Sequence, residues 1–202
     1  MHIQKRENDL VIGTFGRGIY ILDNITPLRE LSESTLNENA YKLFPVKDAL
    51  MFIKRSATIE SQGSTLYKAE NPPFGATITY YIKEAPKTLK QQRQEKEKEL
   101  IKKNEPTYYP SWEELRKEDN EENPYLLFTI SDEYGKIVRN LKSDIKSGVN
   151  RINWDLRYPS TDAIKKVSSE NPGGIPVLLG KYNVTMSIFI DGKLNQVAGP
   201  VE

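Results

Sequence analysis

The run Gly148-Val-Asn-Arg-Ile-Asn-Trp-Asp-Leu-Arg157 constrains this chain more than any other segment. Val149, Ile152, Trp154 and Leu156 are apolar, Asn150, Asn153 and Asp155 fall between them, and Arg151 breaks the alternation by one residue. Successive side chains of a strand point to opposite faces, so this pattern reads as a half-buried strand with an indole as its anchor. A strand of this kind has to lay one face on a core. It predicts a β-sandwich with Trp154 in the interior, where the indole N–H needs an acceptor, and it does not read as a catalytic loop.

Other segments repeat the theme. Leu10–Ile12 and Ile19–Leu22 are short apolar runs joined by a turn that contains Gly13, Gly16 and Gly18, which predicts a hairpin. The glycine spacing is G-x-x-G-x-G, not the dinucleotide order, and a β-like run follows it rather than a helix, so no helix N-terminus is available for a phosphate. A lone hairpin is marginal in water; this one must lie against further strands. Ile25–Leu31 suggests a helical turn with Leu28 and Leu31 on one face. Tyr41–Pro45 leads into Met51–Ile53, which reads as a strand, as do Thr77–Lys83, Tyr125–Ser131, Lys136–Leu141 and Leu179–Ile190, with Ser56–Glu70 polar between them. Tyr182, Val184, Met186 and Ile188 share one face of the last of these. Asp132–Gly135 and Asp191-Gly192 are turn signals. From Leu194 a further strand only begins, which would leave an exposed sheet edge and suggests truncation.

Residues 86–122 differ in composition. Lys87–Lys103 is almost wholly Lys, Glu, Gln and Arg, with Leu89, Leu100 and Ile101 its large apolar residues. That is strong helix propensity with little to bury. Ser111-Trp-Glu-Glu carries the signature of a capped second helix, in which Trp112 and Leu115 are spaced to meet the body of the domain. The block reads as a solvated helical insertion. Tyr108, Tyr109 and Trp112 cluster beside it and are the candidate contact residues for a glycan or a partner, although such a cluster is more often what pins an insertion to a sandwich.

The chain has 29 basic and 28 acidic residues, and the mixed signs along the insertion exclude a basic nucleic-acid arm. It has no cysteine, which removes disulfides and thiolate metal sites. No apolar run approaches the roughly 20 residues of a membrane helix, and the N-terminal residues lack the apolar core of a secretion signal. His2 is the sole histidine, so nucleophile triads and imidazole metal sites are not expected. Neither a cofactor nor a metal is expected, and no D-x-D-x-D-G calcium series occurs. Asp155 and Asp132 are the best-placed acids for glycoside chemistry. The first is expected to cap a loop or pair with Arg157, and the second to bond its own turn. No catalytic residue is assigned.

Two resemblances add to this reading. Asp132–Gly135, Val138-Arg-Asn-Leu141, Gly148, Asn150, Trp154-Asp155 and Gly180-Lys-Tyr182 resemble the Ig-like domain of the flagellar hook-capping type; Leu178-Leu179 replaces the usual proline before the last glycine. Gly13-Thr-Phe-Gly-Arg-Gly-Ile-Tyr-Ile-Leu-Asp23, followed by Asn71-Pro-Pro-Phe-Gly-Ala-Thr-Ile-Thr-Tyr80 and Trp154-Asp-Leu-Arg157, resembles the closing region of large secreted β-propeller proteins with bacterial-neuraminidase repeats. These are also called sortilin-like and are often described as glycosyl hydrolases. The resemblance implies a mainly β fold: an Ig-like, fibronectin-III-like sandwich over 51–202 with its insertion at about 86–122, a linker at 27–50, and at 1–26 a hairpin left from the last propeller blade. It implies export to the periplasm or the cell exterior. It also implies an accessory role, bracing an upstream propeller and meeting a glycan or protein partner. The Asp-box repeat S-x-D-x-G-x-T-W is absent here, so the chemistry of a glycosidase parent would lie upstream. A carbohydrate-binding module is the remaining alternative.

Overall fold

The computed structural model describes residues 1–16, 18–32, 36–37, 39–53, 71–161 and 174–202. Among the described residues the fold is mainly β, with three antiparallel sheets and few helices. The chain divides into two compact units, one made of Met1–Glu38, Phe44–Thr79 and Arg151–Leu178, the other of Asn39–Leu43, Tyr80–Asn150 and Leu179–Glu202.

The first unit opens with the predicted hairpin. β1 (His2–Gln4), β2 (Asp9–Gly13) and β3 (Ile19–Leu22) form a sheet in that order. Leu10 faces Leu22 and Gly13 faces Ile19 across the β2–β3 ladder. The turn closes when Thr14 N donates to the Gly18 carbonyl at 2.9 Å, and the Thr14 hydroxyl accepts from Gly18 N at 3.1 Å. The short helix α1 (Thr26–Arg29) follows, started by a buried proline, Pro27. Leu28 is exposed rather than packed. Met51–Ile53 forms no strand and is exposed, contrary to expectation. A strand needs a neighbour's ladder, and here the apolar side chain of Phe52 meets Phe74 edge to face instead, with ring centroids 5.1 Å apart.

Trp154 is 2% exposed, and its indole N–H donates to the Arg157 carbonyl at 3.1 Å. The turn that brings this carbonyl round is held by Asp155, whose Oδ1 accepts from Arg157 N at 3.2 Å, with Leu156 at positive φ between them. The break at Arg151 has a structural meaning. Within β8 (Gly148–Trp154), Val149 shares the outer face with Arg151, whereas Ile152 and Trp154 share the inner one. Val149 is exposed, so the expected apolar row loses its first member.

The second unit is built on a four-stranded layer. One layer has the order β10 (Lys193–Val201), β9 (Tyr182–Ile190), β6 (Tyr125–Asp132), β7 (Ile137–Asp144). Leu126, Phe128 and Ile130 of β6 face Ile188, Met186 and Val184 of β9, and all six are buried. Each such side chain contributes about 1.5–3 kcal/mol by leaving water, so this register is the main support of the layer. A three-stranded sheet has the order β4 (Tyr41–Leu43), β5 (Ala76–Ile82), β8. The Tyr80 ring of β5 lies 4.9 Å from that of Phe128, and its hydroxyl is 3.3 Å from Ser143 Oγ on β7. The segment that begins at Leu194 is more than a start: β10 runs nine residues along β9.

Both turn signals act as expected. Asp132 Oδ1 accepts from Tyr134 N and Lys136 N at 3.0 and 2.9 Å. Asp191 and Gly192 both adopt positive φ, as a two-residue hairpin turn requires.

Candidate functional site

Three features of the surface are candidates for contact. The first is the helical insertion. α2 (Leu89–Lys102) and α3 (Trp112–Asn120) each begin with a complete capping box, Thr88 with Gln91 and Ser111 with Glu114. Arg93 joins them, giving Nε to Glu118 Oε1 at 2.6 Å and Nη2 to Oε2 at 2.9 Å, while Nη1 reaches Glu97 Oε1 at 2.6 Å. The Arg93 guanidinium holds the Glu118 carboxyl below the usual glutamate value, and Glu118 in turn raises Arg93. Neither helix contains a buried residue. The Arg93–Glu118 contact links the two helices, and a capping box starts each of them.

Tyr108, Tyr109 and Trp112 do not pin this hairpin to the sandwich. They are 62%, 88% and 87% exposed, so the expected contact of Trp112 with the body is not made, and Leu115 is half-buried. Tyr108 is oriented by Glu114, whose Oε2 accepts from the phenol at 2.9 Å and from Ser111 N at 2.8 Å. The Ser111 amide, followed by Tyr108, lowers the Glu114 carboxyl, and Glu114 raises the Tyr108 phenol. Tyr108 is thus tethered, whereas Tyr109 and Trp112 present their rings to solvent.

The second feature is β3. All four of its residues, Ile19, Tyr20, Ile21 and Leu22, are exposed, at 67%, 66%, 60% and 41%. It is an outer strand of its sheet. The outer strands of the four-stranded layer are built differently. Arg139 of β7 is registered opposite the buried Ile130, on the core side, and its buried Nε has no hydrogen-bond partner. β10 carries Lys193, Asn195, Gln196 and Pro200 and two register irregularities. Inward charge, proline and bulges are how sheets discourage further strands; β3 has none of them.

The third feature escaped the sequence reading. A cavity of about 400 Å³ lies within the first unit. Phe52, Phe74, Pro72 and Pro73 give it an apolar wall, and Asp9, Asp23, Asp48, Asn71 and Arg151 line it with polar groups. Arg151 is anchored by two hydrogen bonds from Nη2 to the carbonyls of Asp23 and Asn24, at 2.7 and 2.8 Å. Asn24 N donates to Asp9 Oδ1 at 2.9 Å. The Phe74 carbonyl accepts from Asn153 Nδ2 at 2.8 Å, and Asn153 Oδ1 accepts from Thr77 at 3.3 Å. Lys47 is paired with Glu7, and this contact, helped by Arg6, lowers the Glu7 carboxyl. The sequence offered two traces of this site: the Asn71-Pro-Pro-Phe-Gly turn and the odd Arg151 both line it.

Among the described residues no group of three or more His, Cys, Asp or Glu side chains could hold a metal ion, and no helix is long and apolar enough to cross a membrane. Asp132 and Asp155 are both engaged in their own turns. Comparison of the chain with protein-family models, with curated proteins and with solved structures finds no match.

Proposed function

We propose that this chain is a non-catalytic accessory module that docks through β3 onto the apolar surface of a partner β-structure, which the sequence resemblance implies is an upstream propeller of an exported protein. The carrying observation is the run of four exposed residues, Ile19-Tyr-Ile-Leu22, on an outer strand. Leaving such a strand in water favours aggregation, and the contrast with the guarded strands β7 and β10 supports a surface kept bare for a fixed partner. The test is amide hydrogen exchange at Ile19–Leu22, in this chain and in the longer product of the same reading frame. Strong protection in the longer product alone is expected. Equal exchange in the two, or a frame that encodes no β-rich segment upstream, would remove this reading.

A second reading is favoured by the exposure of Tyr109 and Trp112: the insertion contacts glycans, as in a carbohydrate-binding module. A glycan array, with Tyr109→Ala and Trp112→Ala as controls, tests it. The glycosidase alternative for the parent protein keeps its acids and arginines upstream and rests on their discovery there.

A further inference from the structure

We infer that the cavity of the first unit binds one neutral sugar ring, through a surface separate from β3 and from the insertion. Its volume of about 400 Å³ falls in the range of small-molecule sites, roughly 300–1,000 Å³. Its lining has two chemically distinct sides. Phe52 and Phe74, with Pro72 and Pro73, offer C–H and ring surface on which the apolar face of a pyranose can lie. The polar side offers both donors and acceptors.

Which of these polar groups is available decides the ligand class. Lys47 and Glu7 are committed to each other, Asp9 to Asn24 N, and Arg151 is fixed in place by two carbonyls. The Asp23 and Asp48 carboxylates and the Asn71 amide make no hydrogen bond among the described residues. Two free carboxylates and a free amide, beside an anchored guanidinium with further N–H groups, match the alternating hydroxyls of a sugar, each of which donates and accepts. Carboxylate acceptors also give the stronger, charge-assisted bonds.

Other ligand classes fit less well. Glu7, Asp9, Asp23 and Asp48 outnumber Lys47 and Arg151, so a phosphate, a nucleotide or an acidic sugar is repelled. The acidic excess attracts an ammonium group as well, but Phe52 and Phe74 meet at 79°, edge to face, and form no aromatic cage for one, so a cation is the rival that the experiment includes. Part of the lining is tied in place by the chain itself. Asn153 ties the Phe74 carbonyl and Thr77, and the anchoring of Arg151 joins the end of β3 to β8.

The experiment uses the full chain and three probes: methyl β-glucoside, methyl β-galactoside and methyl α-mannoside. Saturation-transfer NMR detects binding, and chemical shifts of Phe52, Phe74 and Asn71 locate it. At least one probe is expected to bind and to move these signals. Asp48→Asn, at an exposed position, is expected to weaken that binding about tenfold, the loss of one charge-assisted bond. Phe52→Ala should act likewise, with the shifts of β6 and β9 confirming that each variant is folded. Trp112→Ala and the paired change Ile19→Lys, Ile21→Lys should leave sugar binding intact, which separates this site from both readings above. No binding by any of the three probes, shifts confined to Tyr109 and Trp112, or stronger binding of lysine methyl ester at the same signals would each overturn the inference.

Discussion

The carbonyl oxygen of Trp154 lies 1.9 Å from the point where a Cβ on Gly75 would stand. Gly75 also has φ +120°, a conformation that other residues rarely adopt. The turn after Pro72-Pro73 can therefore approach the Trp154 strand only through a residue with no side chain. Gly75→Ala is expected to cost about 2–4 kcal/mol, from backbone strain plus a contact with main chain that cannot yield. Urea denaturation with a fixed m-value measures it; a loss below about 0.5 kcal/mol would mean that the turn moves away freely.

Trp154→Ala should destabilise by about 3–5 kcal/mol, as a large truncation in a buried site. Trp154→Phe isolates a smaller term. It keeps a ring but removes the donor to Arg157, and should cost nearer 1–2 kcal/mol. Equal losses in the two variants would show that the hydrogen bond, and not the packing, carries the residue.

Replacing residues 87–121 with a short Gly-Ser linker should leave the β-sheet layers folded, because neither α2 nor α3 buries a residue. The expected change in Tm is a few degrees at most, roughly what 1 kcal/mol gives in a domain of this size. Loss of the sandwich's NMR signals for Leu126, Phe128 and Met186 would show that the hairpin supports the core after all.

The α2–α3 pairing should weaken in acid. The Glu118 and Glu114 carboxyls both lie below the usual glutamate value, the first through Arg93, the second through the Ser111 amide and Tyr108. A carboxyl lowered on folding contributes stability that is fully present above its unfolded pKa. That contribution is lost as pH falls through the lower folded value. Helical circular dichroism of the insertion should hold at neutral pH and decline only below the ordinary carboxylate range. Glu118→Gln should shift this loss to neutral pH. An insertion whose helicity ignores both acid and this substitution would show that the pair is not what joins the helices.

Much of the architecture was legible because it rests on period-two patterns and on turn chemistry. Leu126, Phe128 and Ile130 alternate with less buried residues, and Asp132 and Asp191-Gly192 name their turns outright. Thr88 and Ser111 begin helices whose composition already favoured them. Met51–Ile53 misled because apolar composition does not supply a ladder partner. Trp112 misled because its spacing with Leu115 says nothing of whether a surface lies opposite. The cavity was hidden for a different reason: Asp23, Phe52, Asn71 and Arg151 are far apart in the chain and only the fold gathers them. Arg151 did leave a trace, as the residue that spoils the alternation.

Arg139 carries a last consequence. Arg139 lies on the core side of a border strand with its Nε buried and without a hydrogen-bond partner, so a further strand joining along β7 would have to bury more of that charge. Growth of the four-stranded layer from that side is thereby disfavoured. The border at Ile19–Leu22 carries no such guard: its apolar side chains are exposed and uncharged, so the two borders present opposite chemistry to an arriving strand.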